Sequence, residues 1–248
     1  NREQRSVGLR MSSIGQPCER KLWYEINKAP DGEQFRAEHY LKFLYGDLVE
    51  DLLIYLAGKA GHRIEGQQSE LDICGIKGHR DVVIDGVTCD VKSASTYSFQ
   101  KFKSGLKAEA DAFGYLTQLR SYVYAGRNDP VVQEKNRGAF LVIDKTLGHI
   151  CLDIHEFDFT GIEEEYERKK TLVASEVIPD RGFQPEPFGK SGNLMLGTNC
   201  SYCSYNKICH PGLRTFLYST GPKYLTQVVR EPDVPELGMN ERITETID

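Results

Sequence analysis

The sequence predicts an α/β domain built on a central mixed sheet flanked by helices, and three observations carry that expectation. Apolar residues recur at helical spacing in separated stretches, and strand-like runs lie between them. An Asp85–Gly86 pair joins two β-branched runs in the manner of a tight hairpin. The order helix, strands, helix, strands, helix suits one such layered domain.

Taken in order, "SSIGQPCERKLWYEI" (residues 12–26) reads as a turn at Gly15–Pro17 feeding a short helix. From Phe35 to about Lys59, Leu41, Leu44, Leu48, Leu52 and Leu56 form a helical repeat. Strand-like runs follow near 63–73, 80–84 and 87–92. Ala108 to Ala125 reads as a second helix, with Phe113, Leu116, Leu119 and Val123 on one side. "GAFLVID" and "HICLDIHEF" resemble two further strands, and Thr160 with Glu163 is a capping-box signature for a charged helix through Val173. After Pro179 the texture turns to Gly, Pro, Asn and Cys until about Phe216. The expected organisation is one domain over residues 1–225 and an acidic tail over 226–248.

Composition narrows the function. A net charge of −5 over 248 residues argues against a generally polycationic nucleic-acid binder, yet leaves room for a local basic groove or for metal ions that offset phosphate charge. The apolar runs fall short of a membrane span. No secretory signal is visible, although a chain beginning at Asn1 rather than Met is compatible with a trimmed leader; a cytoplasmic location is expected, or the host cytoplasm if a virus encodes it. Seven cysteines include Cys200, Cys203 and Cys209 close together, which in a reducing compartment points to metal or cluster ligation and in a secreted protein to disulfides with one thiol left over.

The hairpin carries the chemistry. With Asp85–Gly86 as its loop, Ile84 pairs with Val87 and Asp81 falls opposite Asp90. Alternation puts Val82, Ile84, Val87, Cys89 and Val91 on one face and Asp81, Val83, Thr88, Asp90 and Lys92 on the other. Facing carboxylates destabilise a sheet by roughly 0.2–1 kcal/mol when exposed. A divalent cation between them reverses that sign, and hard cations such as magnesium or manganese prefer oxygen ligands. Lys92 stands where an ammonium could meet a phosphate or a metal-bound water, the apparatus of phosphodiester hydrolysis. On these residues alone, a solvated face with a Lys–Asp pair is the alternative.

The pattern "D…DVK" at Asp81, Asp90 and Lys92 resembles the PD-(D/E)XK nuclease superfamily. Upstream, Gly46 and Glu50 in "GDLVE" resemble the glycine followed four residues later by a histidine or acid in RecB-like members. Downstream, Gln118 and Tyr122 match their Q-x-x-x-Y motif and share one helical face. The resemblance implies a restriction-endonuclease-like core in which Glu50, Asp81, Asp90 and the Val91 carbonyl hold magnesium or manganese, Lys92 assists the attacking water, and Gln118 and Tyr122 position DNA. Glu50 departs from the histidine common at its position, which bears on metal preference and rate.

Cys18 together with the C-x2-C-x5-C run Cys200, Cys203 and Cys209 resembles the iron–sulfur branch of these nucleases, which includes the CRISPR-associated exonucleases. The resemblance implies a [4Fe-4S] cluster joining Cys18 to a module over 195–215. A Cys-rich stretch without apolar periodicity needs such a staple, and closing a loop of about 180 residues restricts the unfolded chain strongly. Zinc suits four thiolates as well. Cys74, Cys89 and Cys151, in strand-like runs, read as core packing.

Lys101, Lys103 and Lys107 interleave with Tyr97, Phe99 and Phe102, a texture that suits a single strand, and Arg20 could add to a basic rim; a loop with its aromatics in the core is the equal alternative. The expected activity is a metal-dependent DNA exonuclease acting on single strands or duplex ends, in repair, recombination or CRISPR-like processing. The rivals are a catalytically weak DNA-binding or assembly subunit and a restriction-type endonuclease.

Overall fold

The structure, a computed structural model, describes residues 8–28, 32 and 37–238, the side chain of Glu38 excepted. The chain divides into two compact units, residues 1–17 with 35–176 and residues 18–34 with 177–248, where a single domain to residue 225 was expected. Along the chain, α1 (Met11–Ile14) is followed by α2 (Glu19–Asn27) of the second unit and by the long α3 (Ala37–Lys59). The first unit continues with β1 (Ile64–Glu65), β2 (Glu70–Ile73), β3 (Ile76–His79), β4 (Val82–Ile84) and β5 (Val87–Ala94). Then come α4 (Thr96–Lys103), α5 (Tyr115–Gly126), β6 (Arg137–Asp144), β7 (Ile150–Glu156) and α6 (Ile162–Ala174).

Among the described residues the main sheet of this unit runs β1-β4-β5-β6-β7. It is mixed, because β5 and β6 are parallel while the other neighbours are antiparallel. The parallel pair follows from the crossover through α4 and α5, since parallel strands cannot be joined by a tight turn. The β4–β5 hairpin has the expected register, Ile84 opposite Val87, with Asp85 and Gly86 both at positive φ.

Each sheet face has its own core. Val49, Leu53 and Ile54 of α3 pack with Val82, Cys89, Val91 and Ala139 on one side. Phe99 and Phe102 of α4 and Leu119 and Val123 of α5 pack with Phe140 and Val142 on the other. The β5 strand is therefore covered on both faces, and Thr88 and Asp90 are buried rather than solvated.

Several sequence expectations shift. The α3 leucine repeat points outward, with Leu41 65% and Leu48 59% exposed, because α3 carries apolar residues on opposite sides and the sheet takes Val49, Leu53 and Ile54. Phe35, the expected helix start, lies outside the described residues. The expected helix over 108–125 is only a 3-10 turn at Ala108–Ala110, then Gly114 at φ +75°, then α5. A Cβ at Gly114 would collide with the Gly15 carbonyl oxygen, so two glycine backbones in close approach fix the start of α5. Residues 96–103 form α4 instead of a loop, and Ser95 caps it by accepting the Ser98 N–H. The run 63–73 is two strands, and Cys74 sits at positive φ in the β2–β3 turn rather than in a strand. Thr160 caps nothing: its hydroxyl donates to Asp158 while Gly161 precedes α6.

In the second unit, β8 (Glu186–Phe188), β9 (Asn193–Met195), α7 (Thr198–Ser201), α8 (Asn206–Cys209), β10 (Arg214–Tyr218), β11 (Gly221–Gln227) and β12 (Glu236–Leu237) follow in order. Their sheet runs β12-β10-β11-β9-β8 among the described residues. The expected tail thus contributes the end of β11 and all of β12, and Arg214 ties β10 to Glu231 and Glu236; residues 239–248 lie outside the described part. No helix among the described residues is long and apolar enough to cross a membrane.

Candidate functional site

The open end of the β4–β5 hairpin gathers the acids. Because β4 starts at Val82, Asp81 stands one residue outside the ladder, and its Oδ2 accepts the Val91 N–H at 2.7 Å. Asp90 is 0% exposed. The Lys92 ammonium lies against Asp90 Oδ2 as an ion pair, while Oδ1 has no hydrogen-bond partner among the described residues. A buried polar atom left unpaired costs about 1–3 kcal/mol, more when charged, so such an atom calls for a water or an ion beside it. The solvated-hairpin alternative does not describe this face.

Glu50 joins the acids from α3, its Oε1 accepting from Gln68 Nε2 at 2.7 Å. Glu50, Asp81, Asp90, Val91, Lys92 and Gln118 line one cleft of about 420 Å³. Tyr122 does not line it: it is buried in the core beside Met11 and Ile14, and its hydroxyl accepts from Gln118 Nε2 at 2.9 Å. Tyr122 therefore holds Gln118 in place. Sequence reasoning missed Tyr115, whose ring carries the Lys92 ammonium 5.2 Å from its centroid, and Lys42 and Asp47, which also line the cleft. The helical spacing of Lys42, Gly46, Asp47 and Glu50 was the available signal for the last two.

The electrostatics suit a cation. Burial and then the charge of Asp90 push the Asp81 carboxyl well above the usual range. Burial also raises Glu50, against the Gln68 hydrogen bond, with Asp51 and Asp90 adding repulsion. Burial works to lower Lys92, yet the charges of Asp90 and Asp81 hold the ammonium above its ordinary value. Tyr122 is pushed up to about 12 by burial, so it stays a neutral phenol. The raised Asp81 and Glu50 carboxyls hold their protons more tightly than usual, and a divalent ion among them would favour their charged forms. Among the described residues, no three His, Cys, Asp or Glu side chains form a group that holds an ion as they stand. The donors nonetheless fit a hard cation in kind: oxygen atoms, one of them buried and unpartnered.

In the second unit, Cys18, Cys200, Cys203 and Cys209 line one small cavity of about 20 Å³ and carry free thiols. Burial, then the neighbouring thiols Cys18, Cys203 and Cys209, push Cys200 up to about 11. Tyr24 and Tyr205 stack 5.4 Å apart beside Cys203 and Cys209. Four convergent thiols fit a four-thiolate set in chemistry. Among the described residues these thiols do not form a group that holds an ion as they stand.

Of the residues expected to meet DNA, Tyr97, Lys101 and Lys103 lie on α4, and Arg20 belongs to the second unit. Arg20 is turned inward, Nε donating to the Pro179 carbonyl at 2.6 Å. Tyr97 is 76% exposed with the Lys101 ammonium over its ring, and Lys103 is exposed. Phe99 and Phe102 are core residues and unavailable for stacking.

No family model matches the chain, and no curated protein matches it in sequence. Among solved structures it is similar to an alkaline exonuclease from Laribacter hongkongensis, at 14% identity and a TM-score of 0.48 over 68% of this chain and 87% of that one. It is also similar to a phage-related exonuclease from Haemophilus somnus 129PT, at 15% identity and a TM-score of 0.45 over 67% and 90%.

Proposed function

We propose that the chain hydrolyses DNA phosphodiester bonds with a divalent cation, as an exonuclease acting on single strands or duplex ends. The observation that supports this most is Asp90, a wholly buried carboxylate with an oxygen unpartnered among the described residues, lining a cleft with Asp81, Glu50 and Lys92. Asp81, Asp90, Glu50 and the Val91 carbonyl would hold magnesium or manganese. When bound, the cation supplies an acidified water and neutralises charge on the phosphate. Lys92, steadied by Asp90 and the Tyr115 ring, keeps its proton and orients the attacking oxygen. Gln118, held by the Tyr122 hydroxyl, positions the strand.

The test is linear and circular single-stranded DNA, end-labelled and internally labelled, incubated with manganese with and without chelator. Linear strands shorten to small products, chelator stops the reaction, and circles survive. Binding without cutting would favour the assembly-subunit reading, and cut circles the endonuclease.

For the four thiols we propose a metal centre, which the sequence resemblance assigns to [4Fe-4S]. Support comes from the convergence of Cys18 with Cys200, Cys203 and Cys209 on one cavity. Zinc, which also suits four thiolates, is the second reading. Anaerobically purified protein with visible absorbance, iron and sulfide bears out the cluster; a colourless protein with zinc replaces it.

A further inference from the structure

A second cavity, of about 230 Å³, adjoins the acidic cleft; Lys92, Ser93 and Tyr115 line both. Its chemistry is divided between two walls. One is aromatic: Phe113 is 50% exposed, and its ring lies 5.6 Å from that of Tyr115, on which the Lys92 ammonium rests. The other is cationic and hydroxylic, with Lys101, Lys145, Ser95 and Ser98. The one acid in the lining, Asp111, spends both oxygens on the N–H groups of Tyr115 and Leu116, so it caps α5 rather than opposing an anion.

The walls are held in place. Lys145 N–H donates to the Ala94 carbonyl at 2.9 Å, and Lys101 Nζ donates to the Ala110 carbonyl at 3.2 Å. A ring on one side with ammonium and hydroxyl groups on the other matches the two halves of a nucleotide, a flat base and a phosphate. The volume lies just under the roughly 300–1,000 Å³ of drug-sized ligand sites, which suits one nucleotide and not a run of them.

We propose that this cavity takes one unpaired nucleotide of the DNA strand beside the bond being cut, with its base on Phe113 and its phosphate against Lys145 and Ser98. The inference rests on the nuclease reading above and adds to it a demand on the substrate. A base still paired in a duplex cannot enter, so the strand must be single at this point. Phe113 and Lys145 are positioning residues, since neither lines the acidic cleft.

The test uses the full chain with a thymidine decanucleotide in calcium, which permits binding without cleavage, and then in manganese. Phe113 and Lys145 are exposed, so Phe113→Ala and Lys145→Ala should leave the fold intact. Each is expected to weaken decanucleotide binding about tenfold, with KM rising by a similar factor and kcat falling less. Removing bases from the decanucleotide should erase the difference between wild type and Phe113→Ala while Lys145→Ala keeps its defect. Variants that bind and cleave like an active wild type overturn the subsite alone, as does a Phe113→Ala penalty that persists on abasic DNA. A wild type that neither binds nor cuts removes the nuclease reading and the subsite with it.

Discussion

Asp90→Ala is expected to lower DNA cleavage by about 10³-fold or more while the protein keeps its circular-dichroism spectrum and cooperative melt. The reasoning begins with burial. Asp90 has no exposure, Lys92 lies beside it as an ion pair, and its Oδ1 has no hydrogen-bond partner among the described residues. In the proposed reaction that oxygen meets the cation, and of the acids that line the cleft Asp90 alone is wholly buried. Asp81 already spends an oxygen on the Val91 N–H, and Glu50 accepts from Gln68. Asp90→Asn separates charge from shape: it preserves the volume yet should lose nearly as much activity. Lys92→Ala should also lower kcat, with metal affinity largely retained. An Asp90→Ala enzyme within tenfold of wild type would exclude this carboxylate from the chemistry.

The largest stability effect is expected one residue before the site. Asp129→Ala should destabilise the protein by about 3–5 kcal/mol in denaturant unfolding. Arg80 is fully buried, and its guanidinium is ion-paired to Asp129. Its Nε donates to the Gly66 carbonyl at 3.1 Å, and its other terminal nitrogen has no hydrogen-bond partner among the described residues. Removing Asp129 strands a charge in the interior, whereas Arg80→Met removes charge and demand together and should cost less. The loss also loosens the site, because the Arg80 N–H donates to the Ser69 carbonyl and the Asp81 carbonyl accepts the Gln68 N–H. An Asp129→Ala change under 1 kcal/mol would show that Arg80 finds solvent.

The hairpin was legible in the sequence for a local reason. Asp85–Gly86 dictates a two-residue turn, and a two-residue turn dictates the register of everything from Val82 to Cys89. Period-two alternation then identified the core face of β5. It could not show that the opposite face is also covered, because that depends on α5 arriving from residues 115–126, a tertiary fact. The α3 leucines misled for a similar reason: a helix apolar on opposite sides gives one periodic signal, and only packing chooses between Leu48 and Leu53. The break at Gly114 and the role of Tyr115 were hidden because a glycine at positive φ looks like any other glycine. Tyr122 was singled out by the resemblance of Gln118 and Tyr122 to a Q-x-x-x-Y motif, and such a spacing places two residues on a face without saying which of them reaches the cleft.

Manganese binding to the purified chain, followed by loss of the free-ion paramagnetic resonance signal, bears on all of this most directly. The account predicts that the wild type takes up at least about one ion per chain in the cleft and that Asp90→Ala loses it. An Asp90→Ala protein that takes up manganese as tightly as the wild type, or a wild type that takes up none, would contradict it.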